Sequence, residues 1–147
     1  MTTTRPGRTP HKVSVDLEVP FHDVDSLRIV WFGNYYKYMD VARTALMRAH
    51  ELDENDLDRL GHGLVAVESR CRYNRPLRMG DLFRVTAWFA DVAEQDPRIH
   101  IAFELTLRDS GARVARGRTV LVATDREGNL LRDVPEAILE HYRRPPG

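Results

Sequence analysis

The stretch that decides the fold is FHDVDSLRIVWFGNYYKYMDVAR, residues 21–43. It places two carboxylates, Asp23 and Asp25, in a short loop that runs into an aromatic-rich segment. Asn34 is a good N-cap residue, so we predict that a helix begins there. The free N–H groups in the first turn of a helix can hold a developing negative charge, and a nearby carboxylate can attack or take a proton. We therefore expect a reactive site at the start of this helix.

The residues after Asn34 have a helical period. Their apolar members recur at spacings of three and four: Tyr35, Tyr38, Met39, Ala42, Ala45, Leu46 and Ala49. This pattern predicts one amphipathic helix that ends near His50. The three alanines on its apolar side would let the helix lie close against a sheet.

The segments around this helix alternate apolar and polar residues, which predicts strands. The predicted strands are 12–21, 64–73, 82–92, 98–108 and 113–124. In the second of them, one face is expected to carry Val65, Val67, Ser69, Cys71 and Tyr73. Residues 52–60 are acidic and are expected to form an irregular connection with one short helical turn, and Pro135 is expected to start a short helix over 136–143. This order favours an α+β domain, an antiparallel sheet wrapped around one long helix.

The composition is that of an ordinary globular domain. The 147 residues fit one domain, with 42% apolar and 30% charged residues and a formal net charge of zero. The charge balance argues against nucleic acid as a partner, because phosphate backbones require a basic excess. Cys71 is the sole cysteine, so no intramolecular disulfide forms, and we expect a small core residue. No cluster of potential ligands has metal spacing, so no metal is expected.

The N-terminal residues and the hydropathy of the sequence bear on the cellular location of the protein. Residues 1–11 contain no apolar signal region, and no apolar run approaches the roughly 20 residues of a membrane span. We expect a disordered leader over 1–11, a domain over 12–147, a cytoplasmic location and no membrane partner.

The central stretch resembles the signature of the hotdog-fold acyl-CoA thioesterases of the 4-hydroxybenzoyl-CoA thioesterase family. The residues that carry the resemblance are Asp23, Asp25, Ile29, Val30, Trp31, Phe32, Gly33, Asn34, Tyr35, Ala42 and Arg43. A second similarity covers Tyr73-Asn74-Arg75-Pro76 together with Gly80-Asp81. The match extends over roughly 13–124 in element order.

The resemblance implies a hotdog domain that hydrolyses an acyl-CoA thioester to free acid and coenzyme A. It implies Asp25 as nucleophile or general base, and a backbone N–H at Phe32 or Gly33 that polarises the thioester carbonyl. It also implies a homodimer with active sites at the dimer interface, and often a homotetramer. Coenzyme A is part of the substrate, so no cofactor is expected.

Several residues near the loop have two alternative roles in the prediction. Trp31, Asn34, Tyr35 and His22 are expected to contact substrate. For Trp31 and Phe32 a place in the core is equally expected, and for Tyr38 the core is favoured. Asp23 is expected to structure the loop, because alternate residues of an extended chain point to opposite sides. Asp40 could serve as the nucleophile, since another hotdog branch uses a helix carboxylate, but the i, i+3 spacing favours an ion pair with Arg43.

Two positions depart from the family pattern. Arg28 stands where members commonly carry Gly, and Phe32 stands where many relatives carry His. A basic run formed by Arg70, Arg72, Arg75 and Arg78 could hold phosphates of coenzyme A. Two alternatives therefore stay open: a thioesterase acting on an acyl-carrier protein of a polyketide or fatty-acid pathway, and a non-hydrolytic acyl-binding module.

Overall fold

The computed structural model describes residues 11–90 and 96–143. Its elements are β1 (Lys12–Glu18), α1 (Asn34–Ala49), α2 (Glu54–Leu60), β2 (Gly63–Tyr73), β3 (Leu82–Phe89), β4 (Ile99–Leu107), β5 (Arg113–Thr124) and α3 (Glu136–Arg143). The predicted leader, apart from its last residue, lies outside the described residues. Among the described helices, none is long and apolar enough to cross a membrane.

The five strands form one antiparallel sheet in the order β1-β3-β4-β5-β2. One face of this sheet packs against α1, and the side chains between them are almost fully buried. The largest are Phe83, Phe103, Leu105 and Leu121 from the strands, and Met39 and Leu46 from the helix. The predicted α+β architecture, an antiparallel sheet with one long helix against it, is confirmed.

The sheet and α1 approach each other closely at Gly117 of β5. A Cβ atom on Gly117 would lie 2.5 Å from the sulfur of Met39 and 2.9 Å from the carbonyl oxygen of Arg70. The missing side chain therefore makes room for Met39 to reach the sheet. Ala42, one of the alanines predicted to face the sheet, is fully buried.

The first two strands differ from prediction. β1 ends at Glu18, and Phe21–Asp23 forms a single 3-10 turn that leaves Phe21 exposed. In β2 the register shifts between Ala66 and Glu68, which is a β-bulge. A bulge adds a residue to one strand, so the alternation of faces changes there. The predicted common face was wrong for Val65, which lies opposite Val122, whereas Ser69 lies opposite Thr119.

The acidic connection is a helix of two turns, not an irregular loop. Asp53 caps α2 by accepting a hydrogen bond from the Asp56 N–H, and the Asp56 side chain accepts from the Asp53 N–H. This reciprocal pair is a capping box with Asp in the place of Glu. Gly61 ends the helix in the left-handed conformation, with φ of 82°.

Candidate active site

The loop before α1 is a tight hairpin. Val24 bridges Val30, and the Asp25 N–H donates to the Ile29 carbonyl at 2.9 Å. The Arg28 N–H donates back to the Asp25 carbonyl, also at 2.9 Å. Arg28 closes the turn with φ of 64°, in the left-handed region that favours glycine. The backbone at position 28 therefore has the conformation that suits the glycine common in the family, although the residue here is arginine.

Asp25 lies on the exposed side of this hairpin. Its Oδ1 accepts a hydrogen bond from the Leu27 N–H at 2.8 Å, which fixes the direction of the carboxylate. Among the described residues it forms no ion pair with a cation. The other carboxylate oxygen is therefore available to a water or a substrate.

Asp23 has the opposite surroundings, with only 3% of its surface exposed. Lys37 donates to Oδ1 at 2.5 Å and Tyr38 donates to Oδ2 at 2.6 Å. Its carbonyl oxygen accepts from the Trp31 N–H and from the Asn34 amide. Asp23 thus connects the loop to the first turn of α1, which agrees with the loop-structuring role predicted for it.

The protonation states follow from these contacts. Burial raises the pKa of Asp23, but the hydrogen bonds from Lys37 and Tyr38 lower it by more, so the net pKa lies below the ordinary value. Burial, and then the hydrogen bond to Asp23, raise the pKa of Tyr38 well above its ordinary value. Asp23 is therefore the charged acceptor and Tyr38 the protonated donor.

The helix start differs in one detail from prediction. Gly33, not Asn34, occupies the N-cap position, and Asn34 is the first helical residue. The Asn34 amide is already engaged, since it donates to the Asp23 carbonyl at 2.9 Å. A Cβ atom on Gly33 would lie 2.2 Å from the ring of Trp31, so Trp31 covers this glycine.

The N–H groups of Phe32 and Gly33 are donors without an acceptor among the described residues. Such groups at a helix start carry partial positive charge and can bind a developing oxyanion. The Phe32 carbonyl shares a peptide plane with the Gly33 N–H. It accepts from the Tyr35 N–H and from the Tyr73 hydroxyl at 3.0 Å, which fixes the direction of the Gly33 N–H.

The aromatic residues divide into two groups. Trp31 and Phe32 are 53% and 60% exposed, so both present large apolar surfaces beside the hairpin. Tyr35 and Tyr38 are buried in the core, as predicted for Tyr38, and the Tyr35 hydroxyl accepts from the Leu77 N–H. His22 is exposed, with its Nε2 at 3.6 Å from Asp23 Oδ1.

A groove of about 330 Å³ runs between α1 and β2. Its apolar lining includes Met39, Ala66 and Phe103, and its polar rim includes Asp40 and Arg43. Arg43 forms an ion pair with Asp40 at 2.5 Å, as the spacing predicted. The groove can take an apolar chain, and it brings a second carboxylate to its edge.

Sequence reasoning missed two members of this site. Lys37, the partner of Asp23, was not singled out, and Tyr73 was assigned to a strand and to the second family similarity without a role at the site. Both contacts join distant segments, so local spacing carried no signal for them. Burial raises the pKa of Tyr73 to about 12, with Cys71 nearby, so its hydroxyl stays a donor to Phe32. Within 11–90 and 96–143, no group of three potential metal ligands lies together.

The family profile described as the thioesterase-like superfamily matches residues 19–141. The chain belongs to this superfamily. The match covers the hairpin, α1 and the whole sheet after β1, which are the parts that build the site. The thioester hydrolase predicted from the sequence is thereby confirmed at the level of enzyme class.

Individual relatives agree with this assignment. A candidate esterase of Synechocystis is 28% identical over 82% of this chain and 72% of its own length. A candidate acyl-CoA thioesterase of Bacillus subtilis is 30% identical over 55% of this chain and 59% of its own length. A hypothetical protein of Staphylococcus aureus, solved in complex with CoA, superposes with a TM-score of 0.77 at 19% identity and covers 97% of this chain and 91% of its own. The hotdog fold is confirmed.

Proposed function

We propose that this enzyme hydrolyses an acyl-CoA thioester to a free acid and coenzyme A, with Asp25 as the reacting carboxylate. The observation that carries this proposal is that the one segment leading into α1 contains two features. One is an exposed carboxylate held in a fixed direction by Leu27, and the other is the pair of unpartnered N–H groups at Phe32 and Gly33. Thioester hydrolysis needs both an attacking group and an oxyanion site.

In the proposed reaction, the thioester carbonyl oxygen accepts from the N–H of Phe32 or Gly33. As a general base, Asp25 takes a proton from water while the water oxygen attacks the carbonyl carbon. The C–S bond then breaks, and the coenzyme A thiolate receives the proton. As a nucleophile, Asp25 would instead attack the carbonyl carbon and expel the coenzyme A thiolate, which forms a mixed anhydride with the acyl group. Water would then hydrolyse the anhydride to the free acid and the Asp25 carboxylate.

Trp31 and Phe32 support the proposal as the exposed aromatic wall that an acyl group would meet. The groove between α1 and β2 would receive the rest of that group. His22 is proposed to orient water near the hairpin, and Asn34 and Tyr35 to act by holding the wall in place. These roles follow from position and exposure alone.

We also propose that two copies of the chain pair through β2. This strand lies at the edge of the sheet, bonded on one side to β5, and carries the exposed side chains of Val65 and Val67. An exposed edge with apolar residues is a template for pairing with another strand. A two-fold pair would bring each site next to the edge strand of the partner. The homotetramer and the cytoplasmic location remain predictions.

The test is release of free thiol by the purified protein with short-chain, long-chain and aromatic acyl-CoA thioesters. Thioesters of the same acyl groups with pantetheine and with an acyl-carrier protein show which carrier the enzyme accepts. We expect turnover of at least one CoA thioester, with kcat/KM higher than on the carrier protein. Turnover confined to the carrier protein would favour a thioesterase that acts on an acyl-carrier protein, and tight binding without thiol release would favour an acyl-binding module.

A further inference from the structure

The outer face of the sheet, turned away from α1, carries four arginines that the strand register brings together. Arg70 of β2 lies directly opposite Arg118 of β5, and Arg72 lies directly opposite Arg116. Gly117, between the two β5 arginines, faces Met39 of α1, so its neighbours point to the other side of the sheet. Directly opposed side chains stand about 5 Å apart at Cβ. We call these four residues the arginine cluster.

No member of the arginine cluster forms an ion pair within the described residues, although Glu104 of β4 lies directly opposite Arg116. Other arginines of the same sheet are paired: Arg84 donates to Asp16 at 2.8 Å, and Arg113 donates to Glu104 at 2.9 Å. Like charges directly opposite each other destabilise a sheet. The cluster therefore holds two repulsive pairs, and an anion bound between them would relieve the repulsion.

These residues line a cavity of about 590 Å³. All four members of the cluster reach it, together with Arg113, and the acidic member of the described lining is Glu104. Because Glu104 is already bound to Arg113, the cavity has a large excess of positive charge although the whole chain is neutral. Glu68 precedes Arg70 on the same strand, and its charge acts on Arg98. The volume is in the range of small-molecule sites.

We propose that the arginine cluster binds a small anion that carries two or more phosphate groups. A guanidinium presents a planar fork that holds a phosphate through two parallel hydrogen bonds. Two opposed pairs of guanidinium groups match two phosphates, whereas a single carboxylate would leave most of the charge uncompensated. The limited volume of this half-open cavity and the neutral chain favour a small ligand over a nucleic acid or an acidic protein.

The phosphates have two possible sources, a free nucleotide or the coenzyme A of the substrate. The site lies on the opposite face of the sheet from Tyr73, which contacts the Phe32 carbonyl. Its occupancy is measured by binding alone, so the inference does not depend on the proposed hydrolysis.

The experiment is calorimetric titration of the full chain with pyrophosphate, ATP and coenzyme A, each at the same ionic strength. At least one of these probes is expected to bind saturably. The double variant Arg70→Gln, Arg118→Gln should weaken that binding about tenfold or more, since each removes charge-assisted hydrogen bonds. The control Arg84→Gln removes one positive charge from the same face, outside the cavity, and should bind as the original chain does.

The thermal midpoint without ligand separates lost binding from lost folding. The double variant removes the repulsive pair Arg70–Arg118 as a whole, so it should leave the midpoint unchanged or raise it. Binding of ATP or pyrophosphate assigns the site to free phosphates, and binding of coenzyme A alone assigns it to the substrate. The inference is overturned if none of the three binds saturably, if the double variant binds equally well, or if only a long polyanion such as heparin binds.

Discussion

The phenol of Tyr38 donates a hydrogen bond of 2.6 Å to Oδ2 of Asp23, while Lys37 occupies the other oxygen of the same carboxylate. These two contacts connect the loop before α1 to the first turns of the helix. They leave Asp23 buried and fully engaged, and they leave Asp25, two residues later, exposed. The two carboxylates of the sequence signature therefore have separate functions, one structural and one proposed to be chemical.

Asp23→Asn should lower the free energy of unfolding by roughly 2 kcal/mol, because hydrogen bonds to a charged group are worth about 1.5–3 kcal/mol. The amide would keep the bond from Tyr38 and lose the attraction of Lys37. Urea denaturation at neutral pH measures this difference. Asp109→Asn, in the exposed turn between β4 and β5, is the matched control and should change stability by less than about 0.5 kcal/mol.

The contribution of Asp23 should also depend on pH. Its pKa is lower in the folded than in the unfolded chain, so its stabilisation is present above the unfolded pKa of about 3.9 and is lost as pH falls through the folded value. The gap in stability between the original chain and Asp23→Asn should therefore be constant near neutrality and narrow below about pH 4. A gap that stays constant at acid pH would show that Asp23 is not held as a carboxylate.

Arg28→Gly should raise the free energy of unfolding by about 1 kcal/mol, because a left-handed conformation is strained for a residue with a side chain. Arg28→Ala removes the same charge and keeps the strain, so it is the matched control and should give little change. Thermal denaturation of the three proteins distinguishes them. Equal loss of stability in both variants would mean that the guanidinium group itself stabilises the hairpin.

Tyr73→Phe should reduce kcat about fivefold, since the hydroxyl that holds the Phe32 carbonyl is worth about 1 kcal/mol and positions the proposed oxyanion N–H. KM should change less than kcat, because the contact does not touch the bound acyl group. The measurement is steady-state kinetics with the preferred thioester. An unchanged kcat would mean that α1 alone fixes the carbonyl.

Val65→Asp should convert the proposed dimer to a monomer, because it places a charge at the pairing edge of β2. Met79→Asp, at an exposed apolar position in the connection to β3, is the control and should stay dimeric. Analytical ultracentrifugation measures both. A dimer that persists in Val65→Asp would move the interface away from β2.

Much of the fold was predictable because period and turn chemistry are local. The helical period located α1, alternation between turn residues located β5, and Pro135 marked the start of α3. The capping box of α2 was also readable, because Asp53 and Asp56 have the required spacing, but the acidic composition of the segment hid it. The bulge in β2 adds one residue without a local marker, so the face of Val65 could not be predicted.

The candidate site was predictable only in part. The signature marks Asp25, Phe32 and Gly33 because they are close in sequence. The burial of Asp23 depends on Lys37 and Tyr38, which reach it only after the loop folds back over the helix. The arginine cluster likewise depends on strand register, which the sequence alone does not specify.

The most direct test of the central claim is single-turnover thiol release by Asp25→Asn, with Asp40→Asn and Asp109→Asn in parallel. Asp40 lines the groove and tests the alternative helix carboxylate, and Asp109 lies in a distant turn. We predict a fall of about a thousandfold or more for Asp25→Asn alone, with an unchanged circular dichroism spectrum and thermal midpoint. Label found in Asp25 after turnover of the original enzyme in ¹⁸O water would identify the anhydride route, because general-base hydrolysis puts the label in the free acid alone. Full activity in Asp25→Asn, or a comparable loss in Asp40→Asn alone, would contradict the account.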